Sequence, residues 1–257
     1  MIRVLKYIQR KIYRKIKWIF ELKDISLKIQ RINMFVKMLI EMDSGVHFQG
    51  QIDQDLLAYL YFKGKRTGFY IDIGANDGIS INNTYVFEQL GWTGVCIEPL
   101  PDTFEQLKKN RKCDCYNVAI ADQSGNKIDF LKACGMETWS GLKSQMSDVH
   151  KKHIINSRKK IEVIKVKTLT FNDLMDNYEG ITFIDFMSID VEGAEMSILE
   201  TIDFNKYRFG LLIIENAEDH PGDGEKMKKF MLDKGYTVFF ELEFDIVFTP
   251  VKNELFI

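Results

Sequence analysis

Phe69-Tyr70-Ile71-Asp72-Ile73-Gly74-Ala75-Asn76-Asp77-Gly78 is a run of strand-forming residues that stops at a glycine-bearing turn. An apolar strand ending this way is how α/β sheets build a ligand crevice at their carboxyl edge. Glycine is wanted there because backbone must approach a ligand closely, or turn through positive φ, without a Cβ in the way. Asp72 lies within the strand end, where an unpaired buried carboxylate would be costly. It is therefore expected to face the crevice or to hold the turn through backbone amides.

Working outward, strand and helix patterns alternate. Thr93–Ile97 reads as a second strand ending in Glu98-Pro99, and 115–120 as a third. Residues 181–189 form a fourth, ending at Asp190, and 209–214 a fifth, ending in Glu215-Asn216. Helical patterns at 84–90, 101–110, 171–177 and 224–234 separate them. Such alternation predicts a mainly parallel sheet in an α/β fold, and 237–242 with Asp245–Pro250 reads as a closing antiparallel hairpin. Residues 127–131 and 162–167 also look like strands. Between them lies a long polar insertion near 133–160, where acceptor specificity is expected because long insertions in compact domains usually carry function.

The 257 residues suffice for one large domain plus an extension, and the net charge of −2 argues against a general electrostatic nucleic-acid binder. That balance hides an asymmetry. Residues 1–40 hold eleven Lys/Arg and two Asp/Glu, so they carry a net +9 against −11 for the rest. Leu22, Ile25, Ile29, Ile32, Val36 and Leu39 follow heptad spacing. Residues 1–50 are read as a basic amphipathic helical extension, packing on its own domain, homodimerising, or lying on an anionic membrane surface. No apolar run approaches the ~18–20 residues that span a bilayer. Cys96, Cys113, Cys115 and Cys134 show neither a CxxC pair nor zinc spacing, which favours a reducing compartment. The expected location is cytoplasmic, peripheral at the inner membrane face if the helix binds lipid.

Acids recur at the strand ends: Asp72, Glu98, Asp190 and Glu215. In a parallel sheet these ends share one edge. Glu98 stands 24 residues after Gly74, where such sheets place a carboxylate to accept from a ribose diol. The dinucleotide fingerprint G-x-G-x-x-G is absent, so nothing marks a pyrophosphate site. A nucleoside cofactor without a diphosphate fits better, and S-adenosylmethionine is the obvious one. Such a cofactor delivers its methyl in line, and an acceptor that carries a proton needs a base or a metal to lose it. Asp190 and Glu215 with His220, in the loop that follows, are the expected ligands of Mg²⁺, Mn²⁺ or Fe²⁺; alternatively His220 alone is the base. His150 and His153 read as a solvated face.

Residues 72–78, then Ile97-Glu98-Pro99, then Ile189-Asp190-Val191-Glu192-Gly193-Ala194-Glu195 together resemble the FkbM family methyltransferases. The resemblance covers roughly residues 68–250. It implies a class I methyltransferase (Rossmann-like) fold over 51–257, with a mostly parallel seven-stranded sheet and an antiparallel last hairpin. It also implies S-adenosylmethionine-dependent O-methylation of a sugar, sugar nucleotide or glycan, such as a capsule or other surface polysaccharide. Many members have a lysine before the Ile-Asp pair; here Ser188 stands there. By this carry-over Gly74 and Asn76 shape the methionine pocket, and Asp72 anchors the turn and meets the cofactor amine. Glu98 with Pro99 binds the ribose, and Asn117 or Ala119 borders the adenine, with Asp122 near its amino group. Asp190 and His220 are the catalytic candidates. Two other classes compete: a nicotinamide-dependent oxidoreductase or epimerase of sugar nucleotides, and a non-catalytic methyltransferase-like scaffold in a glycan assembly complex.

Overall fold

The computed structural model describes residues 25–135, 137–157, 160–216 and 223–251. The chain divides into two compact units, Met1–Phe48 and Gln49–Ile257. In the first, helix α1 spans Ile25–Ser44. It ends where the Ser44 hydroxyl donates to the Ile40 carbonyl and Gly45 takes φ +72°, the left-handed stop that suits glycine. Ile29, Ile32, Met34, Leu39 and Met42 of this helix are exposed. The part of the predicted extension before residue 25 lies outside the described residues. No described helix is long and apolar enough to cross a membrane.

The second unit opens with α2 (Gln54–Tyr61) and β1 (Phe69–Ile73). There follow α3 (Tyr85–Leu90), β2 (Thr93–Ile97), α4 (Pro101–Asn110), β3 (Asp114–Tyr116), β4 (Ala119–Ile120) and β5 (Lys127–Ala133). After a 3-10 turn at Glu137–Trp139 come β6 (Gly141–Leu142), α5 (Asp148–Asn156), β7 (Ile161–Leu169), α6 (Phe171–Met175) and β8 (Phe183–Ile189). The chain closes with α7 (Glu195–Thr201), β9 (Arg208–Glu215), α8 (Asp223–Asp233), β10 (Tyr236–Glu241) and β11 (Asp245–Pro250).

The main sheet has seven strands in the order β10-β11-β9-β8-β1-β2-β3. Strands β3, β2, β1, β8 and β9 run parallel, while β11 joins antiparallel to β9 and β10 to β11. This is the class I methyltransferase architecture. All five residues of β1 are buried, as expected for a central parallel strand covered on both faces. The strand order reverses beside β1, so a crevice opens above the ends of β1 and β8, the usual ligand position in open α/β sheets.

One predicted strand, 115–120, is in fact two. β3 stays in the main sheet, but β4 leaves it and pairs with β7. The break falls at Asn117, whose side-chain amide donates to the carbonyls of Glu98 and Pro99 at 2.9 and 3.0 Å. Those bonds tie the chain to the loop after β2 in place of further ladder pairing. β4 begins a second, four-stranded sheet of order β4-β7-β5-β6. Its inner side buries Phe130, Leu142 and Val166 against Leu100, Ala119 and Ala194. The polar insertion near 133–160 thus supplies β6 to a sheet that walls the crevice.

Candidate functional site

The turn after β1 is built to press backbone against backbone. Gly74 has φ +91°, and a Cβ there would overlap the Asp190 carbonyl oxygen. The Asp190 amide in turn donates to Ile73 at 2.9 Å, so the ends of β1 and β8 are locked together. The amides of Gly74 and Ala75 both donate to the Ile97 carbonyl at 3.0 Å, which locks β1 to β2. Asn76 follows at φ +50°, a left-handed position that asparagine tolerates better than most residues.

Glu98 spans the two loops. Its Oε2 accepts the Asn76 amide at 3.1 Å and its Oε1 accepts the Leu100 amide at 2.8 Å. It is 6% exposed, and burial pushes its carboxyl up to about 7, against the pull of those two amides. Asp72 does not hold the turn through backbone amides. It accepts instead from the Asn82 side-chain amide at 2.9 Å and the Thr84 hydroxyl at 2.6 Å. Burial raises its carboxyl above the usual range, while Arg111 and those two donors oppose the shift.

Arg111 is the residue the sequence reading missed. Its guanidinium is buried and donates to Gly78 O, Asn82 Oδ1, Thr84 Oγ1, the Tyr70 hydroxyl and Glu88 at 2.8–3.2 Å. It therefore holds the far side of the turn that Glu98 holds from the near side. A lone arginine in the polar stretch Lys108–Lys112 gave no sign of this; only the packing of α4 against the turn brings it inward.

The strand ends after β8 and β9 carry the second acidic group. Carboxylate oxygens of Asp190, Glu192 and Glu215 lie within 4.8 Å of one another. Glu192 was quoted in its motif but not assigned a role. At φ +60° it turns back over the sheet edge, and its amide donates to Glu215 Oε2 at 3.1 Å. Glu195 starts α7 and accepts the amides of Val191 and Gly193 at 3.2 and 3.0 Å, which fixes this loop. Asp190 opens onto the crevice but protein crowds its other sides. That withdrawal from bulk water, then the charges of Asp245 and Glu195, push its carboxyl up to about 7. Glu215 is pushed well up by burial and then by Asp190. His220 lies outside the described residues, so its predicted place beside Asp190 and Glu215 has no structural counterpart here.

Both groups line one cavity of about 370 Å³. Asp72, Gly74, Asn76, Glu98, Pro99, Ala119, Asp190 and Glu215 all border it. Asn117 and Asp122, expected near an adenine, do not line it; Val118, Phe130 and Leu142 do. The last two come from the second sheet, which the sequence did not place. Trp139 and Phe244 border the cavity as well. Gly141 packs closely under Glu192, and the Asn216 amide donates to the Phe244 carbonyl at 2.7 Å, which ties Phe244 to the loop after β9. On the floor, the Asn83 side-chain amide donates to the Ser188 hydroxyl at 3.1 Å.

A family model described as "Methyltransferase FkbM domain" matches residues 72–238. No curated protein sequence matches the chain. Among solved structures, the chain is similar to the Pyrococcus horikoshii protein PH1948 (14% identity over 77% of this chain and 82% of that one, TM-score 0.41). It is similar to TrmK of M. capricolum in complex with S-adenosyl-homocysteine (12%, 79% and 70%, TM-score 0.39). It is also similar to precorrin-6y C5,15-methyltransferase from Geobacter metallireducens (11%, 81% and 95%, TM-score 0.39).

Proposed function

We propose that this chain, which belongs to the FkbM methyltransferase family, transfers the methyl group of S-adenosylmethionine to a hydroxyl of a sugar, sugar nucleotide or glycan. The observation that carries the reading is a single cavity with two chemically different ends. One end has an apolar wall and a carboxylate, Glu98, held rigid by two backbone amides. The other has three converging carboxylates.

The residues present fit the cofactor. Glu98 would accept from both ribose hydroxyls, the recognition that a strand-end acid gives in this kind of fold. Val118, Ala119, Phe130, Leu142 and Pro99 would enclose the adenine. The glycine turn leaves backbone, not side chain, beside the methionine end, with Asn76 at its edge and Asp72 near enough to attract an ammonium. S-adenosylmethionine supplies the electrophilic methyl carbon. What the chain must then supply is alignment of the acceptor and a destination for its hydroxyl proton.

Asp190 would take that proton on its carboxylate, since a base near 7 accepts it without being fully protonated beforehand. His220 is retained as a proposed partner base. Asp190, Glu192 and Glu215 also fit a divalent cation. An all-oxygen donor set suits Mg²⁺ or Mn²⁺, and the mutual repulsion of the acids is what a cation relieves. Such a cation would make the acceptor hydroxyl more acidic. The insertion that carries Trp139 would help choose the acceptor. Residues 1–40 are proposed to dimerise or to touch an anionic membrane surface, at the cytoplasmic side.

Calorimetry with S-adenosylhomocysteine and with NAD tests the cofactor assignment. Micromolar binding of the first and none of the second is expected; the reverse would return the oxidoreductase reading. Turnover of S-adenosylmethionine on a panel of free, nucleotide-linked and polymeric sugars tests the acceptor class. Cofactor binding without turnover on any of them would favour the non-catalytic scaffold. Activity lost to a chelator and restored by Mg²⁺ or Mn²⁺ supports the cation, and full activity after thorough chelation removes it.

A further inference from the structure

Away from the crevice, three of the four cysteines gather at the β2–β3 edge of the main sheet. Cys96 is on β2, paired in register with Asp72 on one side and Cys115 on the other, and is fully buried. Cys113 is half-buried just before β3, with its Sγ 3.4 Å from the Cys96 Sγ. The Cys115 thiol donates to the Cys113 carbonyl at 3.4 Å. β3 is only three residues long and ends the sheet, so few ladder bonds hold this edge.

We propose that Cys113 and Cys96 are a reversible thiol–disulfide pair, Cys113 being the thiol that attacks a hydroperoxide and Cys96 the thiol that resolves it. Exposure and charge assign the roles. Cys113 is the one solvent can reach, and contacts with the Cys115 and Cys96 thiols, then the nearby Arg111 guanidinium, hold it well below the usual thiol value. Burial pushes the Cys96 thiol up, so it stays protonated and waits. In the first step the Cys113 thiolate attacks one peroxide oxygen. The O–O bond breaks, Cys113 becomes a sulfenic acid, and the other oxygen leaves, with a proton, as water or an alcohol. In the second step the Cys96 sulfur attacks the Cys113 sulfur. An S–S bond forms, the S–O bond breaks, and the hydroxide departs as water with the Cys96 proton. Two electrons pass from the two thiols to the hydroperoxide. The bond needs the sulfurs to close from 3.4 Å to about 2.0 Å, within reach of a short edge strand. It would tie β3 to the strand that ends at Glu98.

The test exposes the full chain to hydrogen peroxide, then maps disulfides after digestion without reductant. Loss of two thiols and a cross-link between the Cys96 and Cys113 peptides, both reversed by dithiothreitol, are expected. Trypsin leaves Cys113 and Cys115 on one peptide, so Cys115→Ser must keep the link and Cys113→Ser must lose it. Cys96→Ser should instead trap a dimedone-reactive Cys113, while Cys113→Ser slows peroxide consumption by at least about tenfold. A link that survives Cys113→Ser, or no link and no dimedone adduct at all, overturns the proposal. Each variant is melted beside the parent, with alanine replacing serine where serine lowers the midpoint. None of these readouts depends on methyl transfer.

Discussion

With Glu98 in its proposed place on the ribose, cofactor binding should depend on pH. Burial holds its carboxyl near 7 in the free protein, above the ordinary 4.5. Both hydroxyls of a ribose diol can donate to the two Glu98 oxygens only when the carboxyl is ionised, so bidentate binding pulls the proton off. Affinity for S-adenosylhomocysteine should therefore rise with pH up to about 7 and then level. With one proton linked, the dissociation constant at pH 6 should be about tenfold that at pH 8. The effect is capped by two charge-assisted hydrogen bonds, on the order of 2–3 kcal/mol each. Calorimetry at pH 6.5 in buffers of different ionisation enthalpy should register release of most of one proton per site. The unliganded protein should show the opposite trend in stability. Its folded state holds a proton that the unfolded chain loses near 4.5. Glu98 thus contributes stability below that pH and loses it as pH rises through 7, roughly 3 kcal/mol in all. Glu98→Gln should flatten both profiles. It also turns one NH₂ against a backbone amide, so its own stability should fall by about 1–3 kcal/mol. An affinity that is flat from pH 6 to 8, or a slope that persists in Glu98→Gln, would refute the reasoning.

Gly74→Ala should cost more than about 4 kcal/mol in urea unfolding or prevent folding, because the new methyl meets the Asp190 carbonyl at a positive φ. Arg111→Met removes a buried cation from five acceptors and should destabilise by about 3–5 kcal/mol, with Glu88 stripped of its ion-pair partner; a loss under 1 kcal/mol would mean the network is not as connected as its distances say. Asn76→Ala and Asn76→Gly separate backbone from side chain. Alanine should cost about 1 kcal/mol of stability through its left-handed φ and glycine little, yet both should weaken S-adenosylhomocysteine binding to the same degree if the Asn76 side chain touches the ligand.

The parts of this fold that could be read in advance are those whose signal is local. A buried parallel strand is apolar throughout, and a turn that presses on a neighbouring backbone needs glycine; 69–78 shows both. The acid at 98 was readable because the sheet order fixes where the next strand must end. The division of 115–120 was not readable, since it depends on Asn117 finding two carbonyls of another loop. The pairing of β5 with β7 was equally hidden. Each segment looked like a strand, but nothing local says that they pair with one another and carry Phe130 and Leu142 to the crevice. Arg111 failed for a third reason. Charge predicts exposure, and only the set of acceptors provided by the turn makes burial tolerable.

The two acidic groups of the cavity differ in how far the protein itself satisfies them. Asp72 and Glu98 have donors on their oxygens: two side chains near Arg111 for one, two amides for the other. They are expensive to ionise but are geometrically complete. At the other end the fold brings Asp190, Glu192 and Glu215 together and gives Glu215 one amide, from Glu192. Burial and then the charge of Asp190 keep the Glu215 carboxyl well above its usual range. A core that needed only packing would gain by replacing such acids with apolar residues of similar size. Keeping them at the strand ends costs stability, a cost that the proposed cation, or the proton of the proposed acceptor hydroxyl, would offset. In the proposed reaction the glycine turn and Glu98 would hold the ligand, and the chemistry would fall to the end where the charges are left unbalanced.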